Sequence, residues 1–98
     1  MAAARSTVAA TEAEVHHWHA LQKDAELEVL QMNERIHLDE KRLMSGEVRN
    51  AKELGALQDN VASMQRQRSA VEERGVEAML MVEELLSLIH ISEPTRPY

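Results

Sequence analysis

The sequence predicts an all-α fold, a two-helix antiparallel coiled-coil hairpin, on three observations. The first is composition. Of 98 residues, 44% are hydrophobic but only 2% aromatic, with one Trp, one Tyr and no Phe. A globular core of this size normally buries several large rings. The apolar residues are mostly Ala, Val, Leu and Met, and 29% of the chain is charged, which is the balance of a long helix or coiled coil. The second is periodicity: apolar residues recur at heptad spacing along two stretches. The third is the short break between those stretches, because short connections join antiparallel neighbours.

The expected order is a flexible start (1–5), helix 1 (6–44), a tip (45–50), helix 2 (51–90) and a disordered tail (91–98). With Val8 at position a, the first heptads place Val8, Val15, Gln22, Val29, Ile36 and Leu43 at a, and Thr11, Trp18, Ala25, Met32 and Asp39 at d. The pattern stops at Met44-Ser45-Gly46. Gly46 suits a left-handed C-terminal cap, and Lys41 and Arg42 suit the negative end of the helix dipole. Asn50 can cap the next helix, with Glu53 three residues on as in a capping box. The second heptads place Leu54, Val61, Arg68, Gly75 and Val82 at a, and Leu57, Met64, Val71, Ala78 and Leu85 at d.

Folding the chain back on this tip pairs Leu43 with Leu54, Ile36 with Val61, Met32 with Met64 or Gln65, Ala25 with Val71, and Trp18 with Ala78 or Met79. The expected seam is therefore Val15, Trp18, Val29, Met32, Ile36, Leu57, Val61, Met64, Val71, Ala78 and Val82. Two layers are weak, Gln22 opposite Gly75 and Val29 opposite Arg68. Arg68 is expected to lay its stem along the seam and reach Glu26 or Glu28. A lone two-helix hairpin has no third layer to cover its outer faces. Leu21, Leu27, Leu30, Leu38 and Leu80 fall off the seam. They are either a partner surface or isolated exposed leucines that need no explanation.

Candidate chemistry is sparse. His16 and His19 share a helix face with Glu12, a spacing at which imidazoles can share a transition metal. The competing reading is a solvated flank. Glu12, Glu14, Glu26, Glu28, Glu83 and Glu84 are read as solubilising flanks, since carboxylate catalysis needs a cleft that excludes water. At the tip, Lys41, Arg42, Arg49 and Lys52 are countered by Asp39, Glu40, Glu47 and Glu53. The net charge is −6. A free-standing nucleic-acid binder usually shows a basic stripe, and affinity for phosphates scales with the charge neutralised. The chain has no Cys, which excludes disulfides and thiolate metal sites. No long apolar run spans a membrane and the start does not read as a secretory signal. A cytoplasmic, non-enzymatic protein without cofactor or small-molecule substrate is the expectation.

From Asp39 onward the sequence carries the pattern D-x-x-R-L-x-S-G-x-V-x-N-x-K-E-L, met by Asp39, Arg42, Leu43, Ser45, Gly46, Val48, Asn50, Lys52, Glu53 and Leu54, then by Leu57 and Gln58. This resembles the tip of a bacterial family of coiled-coil hairpin proteins that end in a four-cysteine zinc ribbon. Ala51 stands where that family usually carries Pro, and either fits the first helical position. The resemblance implies, for full-length relatives, zinc in the ribbon. It also implies binding of nucleic acid or of a protein partner, in some cases in flagellar, secretion or alternative sigma-factor systems. For this chain it implies the hairpin part alone, with a protein partner or a second copy. Here the ribbon is absent, and family members have a longer first helix. The final run LSLIHISEPTR, within Leu86 to Tyr98, resembles the translated adapter of transposase-based DNA sequencing libraries. That resemblance implies that the biological part ends near Leu85.

Overall fold

The computed structural model describes the backbone of residues 2–92 and the side chains of residues 7–90. It contains α1 (Ala2–Ser45) and α2 (Ala51–Ser92), packed against each other as an all-α helical hairpin. Three expected boundaries change. The helix already runs at Ala2, where a flexible start was expected over 1–5. The segment MAAARSTVAA contains no breaker, and Ala has the highest helix propensity. α1 takes in Ser45, and α2 continues through Ser92, beyond the expected residue 90, because no Gly or Pro intervenes before Pro94. The rest of the expected tail, 93–98, lies outside the described residues.

Burial follows the heptads closely. Between Thr7 and Ser45, the residues shielded from solvent are Val8, Thr11, Val15, Trp18, Gln22, Ala25, Val29, Met32, Ile36, Asp39 and Leu43. These are the a and d positions in turn, and Glu40 is the one addition. Along α2, Leu54, Leu57, Val61, Met64, Arg68, Val71, Gly75, Ala78, Val82 and Leu85 are likewise shielded, with Gly55, Ala62, Ser63, Gln65, Met81 and Ile89 beside them. The helix is held by this one stripe rather than by an enclosed core.

The chain forms two compact units, Ala25–Glu73 and Met1–Asp24 with Arg74–Tyr98. In the first, Ile36, Val61 and Met64 are buried together, and Leu43 packs against them. Burying each such side chain contributes on the order of 1.5–3 kcal/mol. Polar pairs then tie the flanks of the seam. Asn60 Nδ2 donates to Asp39 Oδ2 at 3.5 Å, and Gln65 Nε2 to Glu40 Oε1 at 3.2 Å. Arg68 departs from expectation. Its Nη1 donates to Asn33 Oδ1 at 2.8 Å, and its Nε lies 3.5 Å from Glu72 Oε1 on its own helix. Asn33 flanks the seam one turn from Val29, so the guanidinium reaches it without turning toward Glu26 or Glu28.

In the second unit, Ala78 and Leu85 are buried, and Val15, Trp18, Gln22, Gly75 and Val82 are half-buried. Ala78 is only 1% exposed, whereas Met79 is 37% exposed. Of the two residues expected opposite the indole, Ala78 therefore belongs to the seam. Trp18 also meets the ring of His17 edge-on, at a centroid distance of 5.5 Å and an interplanar angle of 76°.

Candidate interaction site

The tip is built by two short side chains that finish one helix and start the next. Ser45 Oγ donates to Arg42 O at 3.0 Å and accepts from Glu47 N at 3.3 Å. It thus satisfies one of the carbonyls that a helix end leaves free. Gly46 follows with φ +77°, the left-handed geometry that an L side chain rarely adopts. Asn50 Oδ1 then accepts from Lys52 N at 2.9 Å and Glu53 N at 3.4 Å, while Asn50 O accepts from Leu54 N at 2.9 Å. Asn50 is therefore the N-cap of α2. Among the described residues no bond returns from the Glu53 carboxylate, so the capping box is only half formed. Ala51 occupies the first helical position.

Other tip residues divide by exposure. Leu43, Val48 and Leu54 are half-buried, as is Asp39; Arg42, Ser45, Gly46, Glu47, Arg49, Asn50, Lys52 and Glu53 face solvent. Arg42 Nη1 stands 4.0 Å from Asp39 Oδ1, one helical turn away. An exposed pair at this spacing contributes little stability, but it offsets one of the four cations near the tip. The basic side chains here do not make a concentrated phosphate site.

The described part of Ala25–Glu73 also carries open grooves along α1. One, of about 610 Å³, is lined by Leu30, Asn33, Glu34, Ile36, His37, Glu40 and Arg68. Another, of about 280 Å³, is lined by His37, Glu40, Lys41, Met44 and Ser45. Leu21, Leu27, Leu30 and Leu38 are exposed on α1, and Leu80 on α2. Sequence reasoning noted these leucines but missed Glu34 and His37 as neighbours of Leu30. The available signal was spacing, masked because charged residues interrupt the apolar ones.

His16 and His19 are both exposed, as is Glu12. Among the described residues, no group of three His, Cys, Asp or Glu side chains could hold a metal ion. The four-cysteine donor set of the ribbon-bearing relatives has no counterpart in this sequence, which contains no Cys. The six glutamates set aside as flanks are all exposed. No described helix is long and apolar enough to cross a membrane.

Two capped helices, one shielded stripe along each and solvent-facing charges elsewhere define a coiled-coil hairpin module. The family model of the CT398-like coiled coil hairpin domain matches residues 1–93, and the chain belongs to that family. No curated protein and no solved structure matches it. Family and fold together indicate a structural module rather than a catalytic one.

Proposed function

We propose that the hairpin is a non-enzymatic interaction module that presents its tip to a protein partner. The observation that carries this reading is the construction of the tip. Ser45 and Asn50 satisfy the helix ends from within, so Glu47 and Arg49 are held out to solvent on a short, ordered loop. A loop fixed in this way gives up little conformational freedom on binding. In a chain that continues into a zinc ribbon, the same hairpin would also hold that ribbon away from the tip.

The test pairs two kinds of variant with affinity capture and circular dichroism. Leu54→Asp with Leu57→Asp should abolish helicity and capture together. Glu47→Ala with Arg49→Ala should leave helicity intact and still lose the captured protein. Capture that survives both sets of changes contradicts the proposal.

A further inference from the structure

The methionines with described side chains meet solvent to very different degrees. Met44, in the last turn of α1, is 89% exposed. Met64 is 8% exposed and buried with Ile36 and Val61. Met32 and Met81 are half-buried, and Met79 is 37% exposed. A thioether that touches no core contributes little to holding the hairpin. What distinguishes Met44 is reactivity, because its sulfur lone pairs are open to a small oxidant in water. The sulfur of Met64 is reached only when the helices part.

The surroundings of Met44 also suit the oxidised side chain. It lies in the groove lined by His37, Glu40, Lys41 and Ser45. Lys41 precedes it by three residues, one helical turn, and faces solvent. A sulfoxide oxygen accepts hydrogen bonds, and the Lys41 ammonium can donate one at that spacing. Nothing in the seam has to move. Met64 is the opposite case, since a polar S–O group there would enter the cluster with Ile36 and Val61.

We propose that Met44 is a reversible oxidation site for peroxides, one that sets a polar group beside the tip and leaves the hairpin folded. It does not depend on what the tip binds. A sulfur lone pair attacks one oxygen of hydrogen peroxide, and the O–O bond breaks. The attacked oxygen stays on sulfur. The other leaves as hydroxide and takes the remaining proton from the first, giving sulfoxide and water. Sulfur loses two electrons and the peroxide gains them. Methionine sulfoxide reductases reverse the change, with a dithiol supplying two electrons and the oxygen leaving as water.

The experiment exposes the full chain to hydrogen peroxide for graded times, maps the oxygen gained by mass spectrometry and follows helicity by circular dichroism. Trypsin isolates Met44 in the peptide Leu43–Arg49, apart from Met32 and Met64. Met44 should be oxidised at least about tenfold faster than Met64, with Met79 between them. Helicity should hold while Met44 is converted, and the melting temperature should shift by less than about 3 °C. In urea that unfolds the chain, the rates at Met44 and Met64 should converge. Reductases of both sulfoxide epimers, supplied with dithiothreitol, should remove the oxygen from Met44 in the folded chain. Equal rates at Met44 and Met64 in the folded chain overturn the proposal. So does a difference that persists in urea, a loss of helicity in step with Met44 oxidation, or an oxygen that the reductases leave in place.

Discussion

Arg68 of α2 reaches across the seam to Asn33 of α1, donating from Nη1 to Oδ1 over 2.8 Å. A charged side chain at an a position weakens apolar packing but can fix how two helices align. Its bond to Asn33 joins those of Asn60 to Asp39 and Gln65 to Glu40 between the two helices. Arg68→Ala should lower unfolding stability by about 1 kcal/mol, through the lost bond and the lost stem packing. Asn33→Ala should lower it less. In a double-mutant cycle the two changes should fall short of additivity by about 0.5–1 kcal/mol, read from urea unfolding. Strict additivity would mean that the bond contributes nothing.

Ile36 and Leu27 lie on opposite accounts of the same helix. Ile36 is buried against Val61 and Met64, while Leu27 is exposed. Ile36→Ala should destabilise by about 2–4 kcal/mol, the lost burial plus a residual cavity. Leu27→Ala should change stability by less than about 0.5 kcal/mol. Similar losses at both positions would show that burial in the seam is not what holds the hairpin.

At the tip, the strain falls on backbone alone. A Cβ placed on Gly46 would meet no atom within 4 Å, yet φ there is +77°. Gly46→Ala should therefore cost about 1 kcal/mol, and Gly46→Asn noticeably less, since Asn tolerates the left-handed region. Asn50→Ala removes the acceptor for Lys52 N and Glu53 N and should cost about 1 kcal/mol, whereas Asn50→Asp should retain nearly all of the stability. Thermal melts of these four variants give the comparison directly.

Gly55 offers the reverse case. It sits inside α2, half-buried, with nothing within 4 Å of an added Cβ. Gly55→Ala should stabilise the hairpin by about 0.5–1 kcal/mol by reducing the freedom of the unfolded chain. A drop in melting temperature would indicate a packing role for the bare backbone at this position.

Much of this architecture is legible in the amino-acid order, and the reason is physical. Burial in a two-helix seam depends on one periodicity, so Val8 through Leu43 and Leu54 through Leu85 can be placed by counting. The Gly46 and Asn50 signals are equally local, since each concerns its own backbone or a bond two or three residues away. What escapes counting is lateral. Arg68 finds Asn33 across the seam and Glu72 on its own helix, rather than Glu26 or Glu28, because of side-chain reach, which no spacing encodes. The start of α1 escapes as well, because the Ala-rich run ahead of Ser6 and Thr7 carries no boundary mark of its own.

The single tryptophan lies in the part of the chain formed by Met1–Asp24 and Arg74–Tyr98, beside the edge of His17. Its emission is therefore an optical reporter for that half alone, while far-ultraviolet ellipticity sums over both helices. Followed together through a denaturant series, the two signals become a clock for the hairpin. Coincident curves mean that both halves open in one event. An indole signal that changes first means that the half around Trp18 opens while the tip is still closed.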